Sequence, residues 1–334
     1  MDIYIVNTYY HLLIALAKTL LSKRNTKLII FNDNSKNSIA LNTNLIERLK
    51  KEKIFTQINV IGNPFKVSFE NKKLSFYIKK IFFTKIFNKN FLDLIDLNDT
   101  IYIFNDTSDL GQILNIKKIK YILIEDGRDC FKNNLNLIKQ NKSFKNSLKK
   151  LLFGYNQIGT SKMIKYIEVN DSNNLNIHDK KIIECNRDLL FSKLSNYKIN
   201  KILTIFNIEN EMKYIRGEFN LLITQPFYKD GILKSKNVQL EMYKFLIKKY
   251  LNDKKVMIKI HPREENIYIG LDNSVIVDKL FPIELLNYLN KVKFSKILTV
   301  SSTSIDAITN YDKKIIMSWT WLEKYRKDDD NEKK

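Results

Sequence analysis

"DIYIVNTYYHLLIALAKTLLSK" (residues 2–23) joins a short β-branched run to a longer amphipathic stretch across a polar turn. The rhythm recurs in "TKLIIFND" (26–33), "FTQINVIGN" (55–63), "DTIYIFND" (99–106) and "KYILIEDG" (120–127). Short, continuously apolar strands belong to parallel sheets covered on both faces, because neither face offers a solvated side for polar residues. Their alternation with helical segments predicts an α/β fold.

A second series begins near residue 200: "KILTIF" (201–206), "FNLLITQPF" (219–227), "KKVMIKIHP" (254–262), "NSVIVD" (273–278), "KILTVSSTS" (296–304) and "KKIIMSW" (313–319), all expected as strands. "QLEMYKFLIKKYL" (239–251) reads as an amphipathic helix between two of them. Two α/β domains are therefore expected, 1–200 and 201–320, followed by a tail over 321–334.

Hydrophobic residues make up 44% of the chain, which supplies a large core and excludes wholesale disorder. Lysine and arginine outnumber aspartate and glutamate by 57 to 36, and this favours anionic partners. The two cysteines, Cys130 and Cys185, cannot form a disulfide framework and fit a reducing, cytoplasmic setting. No CxxC or HxxxH spacing points to a metal site. The opening residues lack the basic start and small-residue cleavage site of a secretory signal, and no apolar run of spanning length occurs. Residues 71–92 carry six lysines interleaved with phenylalanines and no acid, and residues 130–167 carry eight lysines and no acid. Such segments suit a peripheral helix on an anionic membrane, single-stranded nucleic acid, or an ordinary helix packed by its phenylalanine face.

Ligands of parallel α/β proteins bind beyond the carboxyl ends of the strands. Four pieces stand there. In "ILIEDGRD", Gly127 permits a sharp turn that presents Glu125 and Asp126, and a carboxylate so placed can serve as a general base. In "IKIHPRE", Pro262 ends the pairing and restricts His261 to extended backbone, which aims the imidazole off the sheet, with Arg263 beside it. In "ILTVSSTSIDAI", Ser301, Ser302, Thr303 and Ser304 precede a helical pattern, a place for N-caps or an anion. In "LITQPFYKDG", Asp230 offers another carboxylate. Glu284 of "FPIELL" (281–286) stands near a helix start. Neither a P-loop nor a dinucleotide fingerprint is present.

The order of these pieces, "EDG" then "HP" then a serine/threonine motif, resembles the bacterial sialyltransferases. "IYIVNTYYHLLIAL", "TQPFYKDG" and "FPIELL" look most like glycosyltransferase family 52, which contains lipooligosaccharide and capsule sialyltransferases. The resemblance implies a GT-B-like arrangement of two Rossmann-like domains facing a central cleft. It implies CMP-sialic acid as donor, a galactose-type hydroxyl of a surface glycan as acceptor, and no cofactor or metal. Asp126 would be the base with Glu125 beside it, and Asp230 is the alternative base. His261, Pro262, Arg263, Ser301, Ser302 and Thr303 would hold the CMP phosphate, and Glu284 would face the nucleotide. Family 52 also includes transferases of other sugars such as glucose, so the donor stays open. The expected partners are a nucleotide sugar, a glycan, the inner membrane face and, as in some relatives, a second copy. A basic nucleic-acid-binding protein is the remote alternative, and it leaves the three motifs unexplained.

Overall fold

The structure is a computed structural model that describes residues 1–32, 38–62, 91–96, 98–127, 131, 158–173, 175, 181–264, 268 and 274–326. The basic segments of 71–92 and 130–167 lie largely outside these residues. The chain forms two compact units, Met1–Phe206 and Asn207–Lys334.

The first unit contains β1 (Asp2–Val6), α1 (Tyr9–Leu21), β2 (Thr26–Phe31), α2 (Thr43–Glu52) and β3 (Gln57–Ile61). It continues through β4 (Thr100–Ile103), α3 (Asp109–Ile116), β5 (Tyr121–Ile124), β6 (Ile164–Val169), β7 (Ile182–Glu184), α4 (Arg187–Ser192) and α5 (Asn196–Ile205). Its strands run β3-β2-β1-β4-β5-β6-β7, all parallel. The order steps outward from β1 to one side, then resumes with β4 on the other. That is the doubly wound Rossmann order, with its switch point between β1 and β4.

Both sheet faces are buried, as the continuous apolar runs require. Ile3 and Ile5, Ile29 and Phe31, Ile101 and Ile103, and Tyr121 and Leu123 alternate onto one face and share one core. On the intervening positions Tyr4 stacks on Tyr102 with ring centroids 4.6 Å apart. Helix α1 starts where the Thr8 hydroxyl accepts from the His11 amide at 3.2 Å, an N-cap. It is buried nearly all round, which explains its few polar residues.

The second unit contains α6 (Ile208–Glu211), β8 (Gly217–Ile223), α7 (Lys236–Tyr250), β9 (Val256–Lys259), β10 (Ser274–Val277), β11 (Val292–Val300), β12 (Tyr311–Met317) and α8 (Trp319–Leu322). Its strand order β10-β9-β8-β11-β12 is again parallel and again doubly wound, with the switch between β8 and β11. Buried Asn220 of β8 accepts from the Lys296 amide at 3.1 Å where the register of β11 shifts, and donates to the Leu251 carbonyl at 3.0 Å. A polar residue inside an apolar strand thus satisfies the backbone group that a bulge leaves over.

Two parallel, doubly wound α/β units make up the expected pair of Rossmann-like domains. One segment departs from the sequence reading. "KILTIF" is helical, not extended, as the end of α5, and it belongs to the first unit. Ile199, Ile202, Leu203 and Ile205 are buried together, a spacing of three and four that fits one helix face and outweighs the β-branched composition. The division accordingly falls after Phe206 rather than at 200. The expected tail also starts too early, since Leu322 is buried in the second core with Trp321 and Tyr325 packed on it.

Gly111 in α3 lies under the turn that follows β4, where a Cβ would meet the Asp106 backbone at 2.5 Å. Alanine ordinarily favours a helix over glycine by ~1 kcal/mol. Here overpacking against backbone outweighs that gain, so Gly111→Ala should lose about 1–3 kcal/mol in urea unfolding. Unchanged or raised stability would contradict this packing.

Candidate active site

In the first unit, parallel register brings the ends of β1, β4 and β5 to one edge. Beyond them stand α1 with His11, the Phe104–Asp106 turn, and the Glu125–Gly127 turn. Glu125 and Asp126 face opposite ways. Glu125 is 2% exposed, and its carboxylate accepts from the amides of Asn170 at 2.7 Å and Phe131 at 3.3 Å. It therefore holds the turn to its neighbours, and the expected catalytic place beside Asp126 is corrected to an anchoring one. Asp126 is exposed, and Gly127 turns the chain at φ +100°, a conformation that favours glycine.

Asp126 Oδ1 lies 2.8 Å from His11 Nε2. The His11 ring is buried and stacked on Phe104, with centroids 4.2 Å apart and an angle of 9°. The stack bridges the switch point, joining the helix after β1 to the end of β4. Desolvation pushes the Asp126 carboxyl up, but the interaction with His11 outweighs it and holds the carboxyl below its ordinary value. Tyr10 donates to the Gly127 carbonyl at 3.3 Å and further ties α1 to the turn.

Two polar clusters support this edge. Glu168 of β6 accepts from Lys18 at 2.5 Å and from buried Arg187 at 3.0 Å, which pins α1 and α4 to the sheet. Desolvation opposes the charge on Glu168, and the two cations outweigh it and keep its carboxyl low. Asp106 is fully buried, accepting from the Gly159 amide and the Tyr121 hydroxyl, and its burial pushes the carboxyl up to about 6. Cys185 is half-buried, and burial raises its thiol.

In the second unit the ends of β8, β9 and β11 meet in the same way. His261 N–H donates to the Thr224 hydroxyl at 3.1 Å, joining the turns after β9 and β8. Gln225 donates to the Ser302 hydroxyl at 2.9 Å, crossing the switch point from β8 to β11. His261 Nδ1 accepts from the Arg263 amide at 3.1 Å, so the neutral ring carries its proton on Nε2. Burial first, then the charges of Arg263 and Lys259, lower this imidazole to about 4, against a smaller raising effect from Asp230. At rest His261 is a neutral donor rather than an imidazolium.

Asp230 is clamped by the Arg263 guanidinium through both oxygens, at 2.6 and 3.0 Å. Pro262 and Arg263 are exposed on the turn. Ser301 has φ +48°, rare for a residue with a side chain, and its amide donates to the Met317 carbonyl at 2.9 Å. The Ser302 hydroxyl accepts from Gln225 and, at 3.3 Å, from the Ser304 amide. Its own proton is then directed to Ser304, 2.7 Å away, which leaves the Ser304 hydroxyl proton for a ligand. Thr303 is exposed within a short 3₁₀ turn. Glu284 is buried in the first turn of another, Ile283–Tyr288.

The quoted motifs hid several contributors. Lys259 is buried at the end of β9, donating to the carbonyls of Ile260 at 3.0 Å and Lys279 at 3.2 Å and lying over the Phe281 ring. Burial lowers its ammonium to about 7, partly offset by Asp278 and Glu284. A lysine inside "VMIKI" was its signal. The Gln239 amide nitrogen of α7 lies within hydrogen-bond distance of the Gln225 carbonyl at 3.1 Å, the Tyr268 hydroxyl at 3.0 Å and the Glu264 carboxylate, and its two hydrogens buttress both turns. Gln225 and Thr224 sit in the quoted "LITQPF" but lack any distinguishing pattern. His11 was a lone histidine in an apolar helix. Among the described residues no group of three His, Cys, Asp or Glu side chains converges.

Two parallel sheets that each bring polar turns to a switch-point edge present the places where α/β proteins bind ligands, and comparison with known proteins supplies the family. The chain belongs to glycosyltransferase family 52, whose profile matches residues 38–318. It is 34% identical over 196 residues to an uncharacterised protein of Haemophilus influenzae, covering 58% of this chain and 60% of that relative's length. Among solved structures it is similar to the UDP-GlcNAc 2-epimerase of Methanocaldococcus jannaschii at 16% identity and a TM-score of 0.46, covering 92% of this chain and 80% of that one. It is similar also to the UDP-N-acetylglucosamine 2-epimerase of Rickettsia bellii at 14% identity and a TM-score of 0.41, covering 91% and 74%.

The low value for His261 makes a prediction with a definite sign. Between about 4 and the ordinary 6.5, the unfolded chain binds a proton that the folded chain does not. Stability therefore falls as pH drops through that window and is unaffected above it. Denaturant titrations from pH 7 to 4 should show a shallower loss in His261→Gln than in the wild-type chain. Parallel curves would refute the assignment.

Proposed function

We propose that this glycosyltransferase is an inverting sialyltransferase. It moves sialic acid from CMP-sialic acid to a galactose-type hydroxyl of a lipooligosaccharide or capsule glycan. The observation that carries the reading is the donor pair of the second unit: a neutral His261 whose Nδ1 is taken by the Arg263 amide, leaving its proton on Nε2, tied through Thr224, Gln225 and Ser302 to the Ser304 hydroxyl. Such preorganised donors suit a departing phosphate.

In this mechanism the acceptor oxygen attacks the anomeric carbon, the bond from that carbon to the CMP phosphate oxygen breaks, and configuration inverts. Asp126 takes the acceptor proton, its exposed carboxylate ionised throughout the neutral range. Asp230 is the weaker choice of base, because Arg263 occupies both its oxygens. His261 donates to the phosphate. Its protonation at Nδ1 would break the bond from the Arg263 amide, so hydrogen bonding rather than full proton transfer is its resting capability. The phosphate dianion then raises the basicity of the imidazole and strengthens this hydrogen bond.

The basic, phenylalanine-rich segment of 71–92 extends the reading to a peripheral position on the anionic inner membrane face, with a homodimer as the working assembly. Among the described residues no helix is long and apolar enough to cross a membrane.

Thermal shift with a nucleotide panel tests the donor: CMP and CDP should stabilise the protein, and stabilisation by UDP alone would turn the reading to another nucleotide sugar. Asp126→Asn should suppress transfer by two to four orders of magnitude, roughly the worth of a general base, while leaving CMP affinity within about twofold. If Asp230→Asn gives that phenotype and Asp126→Asn does not, the base is Asp230.

A further inference from the structure

The strongest unassigned feature is the partner of Asp126. His11 sits one turn into α1, almost without solvent exposure, between the Thr8 cap at its own amide and the Phe104 ring on its face. Stacking and burial fix the plane of the imidazole within the first unit. Its Nε2 meets Asp126 Oδ1 at 2.8 Å, and its buried Nδ1 has no hydrogen-bond partner among the described residues.

We propose that His11 is a positioning residue for Asp126: its Nε2–H holds one carboxylate oxygen, leaving Oδ2 to take the proton of the acceptor hydroxyl. An ionised carboxylate only accepts, so the shared proton lies on Nε2. A proton on Nδ1 would be a buried donor without an acceptor, a more costly state than a buried lone pair there. The ring is too deeply placed to meet a glycan, which separates it from a histidine that itself acts as base. Among the described residues His11 is the titratable group that acts on the Asp126 carboxyl, while neighbouring Tyr10 is engaged with the Gly127 carbonyl. Glu125 anchors the backbone of the turn and His11 orients the side chain beyond it, so the carboxylate is fixed from two directions.

The inference rests on the assignment of Asp126 as the base, and the test keeps the two apart. Full-length wild type, His11→Leu, His11→Gln and Asp126→Asn would be compared in transfer from CMP-sialic acid to a galactoside across pH. His11→Leu should lower kcat roughly tenfold, the lower end of what orienting partners contribute at metal sites. KM should be unchanged, since the interaction serves the reaction rather than binding. The acidic limb should move to higher pH, because desolvation then acts on Asp126 without the compensating histidine. His11→Gln, which offers an N–H at a similar reach, should recover most of kcat. A His11→Leu enzyme with wild-type kcat and limb, beside an inactive Asp126→Asn, would overturn the inference and leave the base standing. An active Asp126→Asn would remove the base itself. Nitrogen-15 spectra of the histidine rings give a readout independent of turnover and of the leucine variant's folding. With three histidines in the chain, His11→Gln assigns the signal. A ring protonated at Nε2 supports the proposal, and a ring protonated at Nδ1 with a free Nε2 overturns it.

Discussion

Parallel pairing is the constraint on which the rest of this structure depends. Every strand of both sheets runs the same way, so every strand ends at the same edge of its sheet. The polar turns after β1, β4 and β5 are thereby gathered in one unit, and those after β8, β9 and β11 in the other. The doubly wound order then opens a switch point at each edge, where successive connections depart to opposite sides. His11 stacked on Phe104 spans the first switch, and Gln225 bonded to Ser302 spans the second.

Gathering turns is not the same as fixing them. Each edge is held by buried polar groups that satisfy backbone amides and carbonyls where the ladders stop. Glu125 does this for the first unit, accepting the backbone N–H of nearby Phe131 and that of Asn170, 45 residues away. Gln239, Thr224 and Lys259 do it for the second, with Lys259 clamping two carbonyls at the cost of a depressed ammonium. A buried polar group left unpaired is expensive, so each of these bonds selects one turn conformation over its competitors. Asp126, His261 and Ser304 project from these turns into defined positions because the neighbouring residues are fully engaged.

Much of the architecture was legible in the sequence. Continuous apolar runs announced two-faced burial, and the Gly, Pro and Ser punctuation after them marked the strand ends. The failures have physical causes. "KILTIF" carries a strand's composition, but its apolar side chains fall on one helical face, and packing in the first unit settles the matter. Glu125 and Asp126 are adjacent and chemically alike, so local pattern does not separate anchor from ligand. Their opposite orientations decide it.

By itself the sequence determined the fold class, the strand ends and the order of the motifs, because hydrophobic period and turn chemistry are local properties. Tertiary structure alone decided which polar groups meet. His11 and Asp126 are separated by 115 residues, and Gln225 and Ser302 by 77. Parallel register brings such pairs within hydrogen-bond distance, and it depends on strands far apart in the chain packing side by side. Protonation followed from the same contacts: burial and neighbouring charge leave His261 neutral and Asp126 ionised, and neither is readable from the residues that flank them in sequence.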